Sequence, residues 1–356
     1  MKSKIQQLMQ NLPEHIDAAL ITSEQNRRYY TGFPSSAGIL FVTKEAAYFL
    51  IDFRYVEAAK TAIKDCEVLL LENTQKSLQS LCKKHAVKTV AAENSYLTVG
   101  SFHRFSTLLS PVKLLDEDTV DQLILSQRRY KTIDEIEKIR TAQALTEETF
   151  NYILTRLSAG KTEREIALDM EFYMRRQGAE AVSFDFIVVS GCNSSRPHGV
   201  PSDKVIQNGD FVTMDFGAIV DGYHSDMTRT VAVGNITDKQ KLVYDTVLKA
   251  QLAGIDAIKV GASCKDVDAA ARDIIYNAGF EGCFGHGLGH SVGVEIHEEP
   301  RFSITSDDTV ESGIVMTVEP GIYIEGEFGC RIEDMIYVTE NKIENLTHSP
   351  KNLIIL

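Results

Sequence analysis

Val212-Thr-Met-Asp-Phe-Gly-Ala-Ile-Val-Asp-Gly-Tyr-His-Ser-Asp-Met-Thr-Arg-Thr230 places two acids among apolar and β-branched neighbours. Its Asp221-Gly222 pair is a turn signal between two strand-like runs, so the segment reads as a hairpin. Folding there brings Asp215 and Asp226 toward each other, close enough to serve one metal centre. Asp221 reads as an ordinary turn acid on the surface. Asp215, preceded by Val-Thr-Met and followed by Phe-Gly, does not. An acid directed into a largely apolar interior must be paired or must coordinate a metal.

Three residues further along share that character: His290 in GHGLGHSVG, Glu319 in TVEPGIY and Glu333 in RIEDMIY. Four carboxylates around one imidazole repel one another unless divalent cations supply the compensating charge. Segment 285–293 brackets two histidines with four glycines, which permit unusual backbone angles and close approach to a ligand. Taken alone it also fits a plain flexible loop. His198 in RPHGV and His297 argue for a site, because five of the nine histidines fall between positions 198 and 297.

Outward from this region, 356 residues exceed the usual single core, so two domains are expected. The first twelve residues form an amphipathic helix pattern with Ile5, Leu8, Met9 and Leu12 on one face. Strands at 18–22, 38–42, 47–51, 67–71 and 89–93 then alternate with helices at 53–63, 77–85 and 101–109. A charged stretch over 116–127 closes this part. Thr132-Ile-Asp-Glu135 is a capping box that starts a helix through 157. Thr162-Glu-Arg-Glu165 starts a second, stopped at Gly178. Strands at 186–190, 211–216 and 228–233 follow, then helices at 238–258 and 264–278, then strands and glycine-rich turns. Helix–helix–strands occurs twice, which predicts an internal duplication.

A net charge of −13 argues against a nucleic-acid partner. No apolar run is long enough to cross a bilayer, and the N-terminus lacks a secretory pattern, so a cytoplasmic protein without membrane partners is expected. The six cysteines show no paired spacing and read as reduced thiols, not as zinc ligands.

The ordered blocks PHG, DFG, DGYxSDxTRT, GHGLGHxVGxExHExP, TVEPGIY and RIED resemble those of the pita-bread metallopeptidases. They look most like the proline-specific branch, the Xaa-Pro aminopeptidases and Xaa-Pro dipeptidases (prolidases). Arg28-Tyr-Tyr-Thr-Gly-Phe33 and Ile51-Asp-Phe-Arg-Tyr55 resemble motifs of that family's creatinase-like N-terminal domain. Lys131-Thr-Ile-Asp-Glu-Ile-Glu-Lys-Ile-Arg140 resembles the start of its catalytic domain. The resemblance implies an α/β creatinase-like domain over 1–127 and an α+β pita-bread catalytic domain over 128–356 with a pseudo-twofold duplication.

The resemblance further implies two divalent cations. Asp215 would bind one through both oxygens, Asp226 and Glu333 would bridge, and His290 and Glu319 would bind the second. A mostly oxygen donor set favours Mn²⁺, with Co²⁺ or Zn²⁺ as alternatives. The implied reaction is attack of a metal-bridging hydroxide on an Xaa-Pro bond at a peptide N-terminus. Glu319 would move the proton, His198 and His297 would stabilise the tetrahedral intermediate, and His286 and Arg331 would orient ligands or relay protons. A homodimer is expected on the same resemblance. Ser291, where glycine is frequent, and Phe328-Gly-Cys330 before Arg331 depart from the commoner pattern without removing a ligand. Cys330, three residues from Glu333, reads as a packed strand thiol, with oxidation sensitivity of activity as the alternative.

The expected activity is an aminopeptidase on longer peptides. The alternative is a dipeptidase, which needs a cation for the substrate's free carboxylate, with Arg301 the candidate. A non-catalytic binding module on the same fold is a further alternative, opposed by retention of every ligand. Methionine aminopeptidases usually lack the N-terminal domain, and creatinase does not need the metal set.

Overall fold

The computed structural model describes residues 2–356, which divide into one unit ending at Arg128 and a second, Arg129–Leu356. The first unit runs α1 (Lys4–Asn11), β1 (Ala18–Ile21), α2 (Glu24–Thr31), β2 (Ile39–Thr43), β3 (Ala47–Ile51), α3 (Val56–Ala62), β4 (Glu67–Leu70), α4 (Thr74–Lys84), β5 (Thr89–Ala92), α5 (Val99–Leu109), β6 (Lys113–Leu115) and α6 (Thr119–Arg129). Its six strands form one sheet in the order β4-β3-β2-β1-β5-β6, antiparallel through β3-β2-β1 and parallel at both flanks. Leu20, Phe41, Leu50, Leu78, Val90 and Leu114 build its core.

Two helices here escape the hydrophobic pattern. In α2, Ser23 caps the first turn, and the wholly buried Glu93 accepts the amide of Ser23 at 3.0 Å. A tertiary carboxylate thus holds the helix start, which propensity does not supply. In α6, acids mask a buried Val120 and Ile124 one turn apart, and the buried Asp121 carboxylate accepts the amides of Asn94 and Ser95 at 2.9 and 3.1 Å.

The second unit opens with α7 (Ile133–Leu154) and α8 (Glu163–Arg176), each started by the capping box read from sequence. Then come β7 (Ala181–Val182), β8 (Ile187–Ser190), a 3₁₀ turn (Gly191–Ser195), β9 (Phe211–Phe216), β10 (Ala218–Val220), β11 (Tyr223–His224) and β12 (Met227–Ala232). The pattern restarts with α9 (Asp238–Ala257) and α10 (Cys264–Ile275), the latter widening into a π turn at Tyr276–Phe280. It ends in β13 (Gly289–Ser291), β14 (Glu298–Phe302), β15 (Val315–Val318), β16 (Gly321–Ile324), β17 (Phe328–Arg331), β18 (Asp334–Val338) and β19 (Ile343–Asn345).

Each half packs a helix pair on a sheet. Phe150, Ile166 and Met170 of α7 and α8 pack on Val188, Met214 and Val231 of the sheet β12-β9-β8. Val243, Val247, Val267 and Ala271 of α9 and α10 pack with Met316 and Ile336 of the sheet β14-β13-β15-β18-β19. Burial of such side chains contributes about 1.5–3 kcal/mol each. The hairpin forms as read: β10 pairs with β11 across Asp221-Gly222, and β9 pairs with β12 so that Asp215 faces Thr228.

Two glycines set how closely the site strands approach. A Cβ on Gly217 would meet the Ser225 carbonyl oxygen at 1.9 Å, and one on Gly289 would meet that of Thr317 at 2.0 Å. These neighbours are backbone and cannot swing away. Gly217→Ala and Gly289→Ala should each lower unfolding free energy by at least about 1–3 kcal/mol, read as a fall in the urea midpoint; an unchanged midpoint contradicts the packing.

Candidate metal centre

Strand termini and short connections deliver the acids to one place. Asp215 sits near the end of β9, Asp226 immediately before β12, Glu319 immediately after β15, and Glu333 in the step from β17 to β18. His290 is the middle residue of β13, where a bulge shifts the pairing with β14. All five line one cavity of about 770 Å³, together with His198, His286, His297, Arg301 and Arg331. Every site residue nominated from sequence therefore reaches this cavity. Asp221 lies in the exposed turn at φ 48°.

One oxygen each from Asp226 and Glu333 and a ring nitrogen of His290 lie within 4.8 Å of one another, all three residues being buried. The His290 Nε2 is 3.6 Å from Asp226 Oδ2 and 3.4 Å from Glu319 Oε1. Its Nδ1 faces the Ser291 carbonyl at 3.1 Å, which holds the proton there and turns Nε2 toward the carboxylates as an acceptor. Asp215 Oδ2 accepts from Arg331 Nη2 at 2.6 Å, and Glu333 Oε2 accepts the Thr228 hydroxyl at 2.6 Å.

The other oxygen of each of these acids is unusual. Asp215 Oδ1, Asp226 Oδ1 and Glu333 Oε1 are buried and have no hydrogen-bond partner among the described residues. Buried polar atoms are almost always satisfied, and three orphaned carboxylate oxygens beside a free imidazole nitrogen are what cation donors look like. The residues present therefore fit divalent metal ions.

Electrostatics say the same. Burial first, and then Glu333, Asp215 and Glu319, push the Asp226 carboxyl well above the usual range. Burial, Glu319 and Asp215 do likewise to Glu333. Burial raises Glu319 to about 8. Burial lowers His290 to about 3 and, with Arg331 next, His286 to about 4, so both rings are neutral near pH 7. Burial also pushes the Cys330 thiol to about 12. This packed strand residue stays protonated and inert.

Some partners were not legible in the motifs. The Tyr323 hydroxyl accepts from Arg331 Nη1 at 2.7 Å and lies 2.9 Å from His286 Nε2. His286 Nδ1 faces the Gly287 carbonyl at 2.8 Å, so Nε2 is the acceptor of the phenol proton. Thr228 accepts from Arg331 Nε at 3.1 Å while donating to Glu333. Tyr323 stands inside TVEPGIY and Thr228 inside the TRT run, so proximity to quoted ligands was the available signal. The buried Lys131 ammonium contacts Glu298 at 3.0 Å, and Glu298 accepts the amides of Val294 and Glu295, which fixes the turn leading to His297. Behind the site, Arg229 donates to the Glu333 carbonyl at 2.6 Å, to Asp334 at 2.8 Å and to the Ser349 carbonyl at 2.8 Å. His224 is in β11 outside the cavity, its amide bonded to the Gly293 carbonyl.

A buried set of acid and imidazole donors around one cleft defines a metal-dependent enzyme. Residues 137–340 match metallopeptidase family M24, and residues 2–129 match the creatinase/prolidase N-terminal domain. The chain is 44% identical over 347 residues, 96% of each chain, to the uncharacterized peptidase YqhT of Bacillus subtilis. Its fold is similar to that of an Xaa-Pro dipeptidase from Bacillus anthracis, with a TM-score of 0.95, 41% identity and 99% of each chain covered. It is also similar to an X-Pro aminopeptidase from Thermotoga maritima, with a TM-score of 0.91, 37% identity and 96% and 98% of the two chains covered. The chain belongs to metallopeptidase family M24, with the creatinase-like N-terminal domain and the pita-bread catalytic fold. No described helix is long and apolar enough to cross a membrane.

In chelated protein these shifts set how stability changes with pH. Glu319 has a folded value of about 8 against an ordinary 4.5, so its ionisation penalises the folded state increasingly as pH rises through that interval. The histidines oppose this only below their ordinary 6.5. Chelated protein should therefore melt at higher temperature at pH 6.5 than at pH 8 in calorimetry, and added divalent cation should remove or reverse the trend.

Proposed function

We propose that the protein is an Xaa-Pro aminopeptidase, releasing the residue that precedes proline from the N-terminus of peptides. The observation that carries this reading is the trio of orphaned carboxylate oxygens on Asp215, Asp226 and Glu333, facing a cavity rimmed by His198 and His297. The names of the relatives in both structural comparisons support proline as the second residue. So does chemistry: an Xaa-Pro bond has no amide hydrogen, and the ring restricts the residue before it. A peptidase for it must hold the amine, the carbonyl and the ring instead.

Asp215, Asp226, His290, Glu319 and Glu333 would hold two divalent cations, most simply Mn²⁺ given four carboxylates and one imidazole. Such cations, when bound, lower the pKa of coordinated water toward about 7 and polarise a carbonyl oxygen. Glu319, 17% exposed at the cavity wall, takes the proton of the attacking water and passes it to the departing proline nitrogen. His198 and His297 donate hydrogen bonds to the oxyanion that develops on the scissile carbonyl. The neutral His286 accepts from Tyr323, Tyr323 accepts from Arg331, and Arg331 fixes Asp215. That chain orients an acid without adding a proton to it.

Arg301 gives a dipeptidase reading its one specific support. It lines the cavity, is half-exposed, and pairs with Glu299 at 3.1 Å. The volume of about 770 Å³ leaves room for more than a dipeptide and favours the aminopeptidase. Protein stripped by chelator should lose turnover of Ala-Pro-Ala and regain it with Mn²⁺. Ala-Pro-Ala should be cleaved at least as fast as Ala-Pro. Arg301→Met raising KM for Ala-Pro alone, with Ala-Pro the better substrate, would move the assignment to dipeptidase. Light scattering tests the expected homodimer.

A further inference from the structure

Glu163 is the first residue of α8 and is wholly buried, while Lys204, which also bonds the Ser190 hydroxyl at 2.8 Å, pairs with Asp210 at 2.6 Å. Its carboxylate is held by neutral donors. Oε1 accepts the Ser190 amide at 2.6 Å, the Ser190 hydroxyl at 2.9 Å and Asn193 Nδ2 at 3.2 Å. Oε2 accepts the Ser202 amide at 3.1 Å, the Ser202 hydroxyl at 2.6 Å and the same Asn193 Nδ2 at 3.2 Å. The first turn of a helix favours an anion there, and capping by Thr162 leaves that end intact.

These donors come from both ends of one segment. Ser190 ends β8, Asn193 lies in the 3₁₀ turn, and Ser202 follows the RPHGV stretch. Between them lie Pro197, whose carbonyl accepts from Arg331 at 3.3 Å, and His198, which faces the cavity. One carboxylate thus closes residues 190–202 into a ring with His198 on its far side. The chemistry requires acceptors on both oxygens, because the Ser190 and Ser202 amides can only donate. A glutamine in the same place would turn an NH₂ against one of them.

We infer that Glu163 is a positioning residue: it fixes the 190–202 segment so that His198 meets the reacting carbonyl. This rests on the assignment of His198 proposed above. Nothing in it concerns metal binding, since Glu163 lies outside the cluster of Asp226, His290 and Glu333.

The test compares metal-loaded parent, Glu163→Gln, His198→Ala and the double variant on Ala-Pro-Ala. Hydrogen exchange is read across residues 191–201, and metal content is measured for each. Glu163→Gln should exchange faster across that segment and lower kcat on the order of 100-fold, the scale for a misplaced catalytic group, with metal content and KM little changed. The double variant should be no slower than His198→Ala. Full kcat in Glu163→Gln, or losses that multiply in the double variant, overturns the inference. If His198→Ala keeps full kcat, the assignment of His198 falls. Exchange alone then judges Glu163: unchanged protection refutes the anchor and faster exchange upholds it. Should Glu163→Gln fail to fold, Ser202→Ala, which removes one donor, should show the same pattern at smaller size, and its absence likewise refutes the anchor.

Discussion

Buried carboxylates that cannot all be charged at once govern this molecule. Asp215, Asp226, Glu319 and Glu333 reach one cleft, and protein cations do not balance them: Arg331 answers Asp215. His290 does not help, because burial keeps its ring neutral. Desolvation and mutual repulsion raise three of the four toward protonation. Only a compact, multiply charged partner relieves both terms together, and divalent ions meet that need. The surrounding architecture keeps the acids from escaping to solvent. Gly217 and Gly289 press strand against strand, and Arg229 braces the chain behind Glu333 through its carbonyl.

The residues around the acids divide the work. Some hold charge in place: Arg331 by its direct contact with Asp215, Thr228 by its bond to Glu333. Others hold backbone, and these are themselves ionic and buried. Lys131 with Glu298 sets the turn before His297, and Glu163 gathers the ends of the segment bearing His198. The two histidine-bearing rims of the cleft are therefore each secured by a buried glutamate. That arrangement lets exposed rings have fixed positions on otherwise irregular chain.

Much of this was legible in the chain. The hairpin at Asp221-Gly222, both capping boxes at Thr132 and Thr162, and the repeated helix pairs are local signals, written within a few residues. The nine residues nominated for the site share one cavity, and each could be picked out because it sits in a short motif with glycine or apolar neighbours. What stayed hidden depends on residues distant in sequence. The α2 start relies on Glu93, nearly seventy residues on, and α6 hides two apolar anchors behind acids. Glu163 read only as the second letter of a helix-start pattern, since nothing local announces that Ser190 and Ser202 will converge on it. Tyr323 stands in TVEPGIY with nothing local to show that the fold brings Arg331 and His286 to its hydroxyl.

The donors arrive from two sheets: Asp215 and Asp226 from the β12-β9-β8 layer, His290 from β13 and Glu319 from the end of β15 in the other. An ion gripped by donors from both sheets would be a rivet as well as a reagent. It binds only the native arrangement, so its stabilising effect grows with the logarithm of its free concentration. The lifetime of this peptidase against unfolding and proteolysis would thereby be tied to the metal supply of its surroundings. Scarcity would remove the idle enzyme along with its activity.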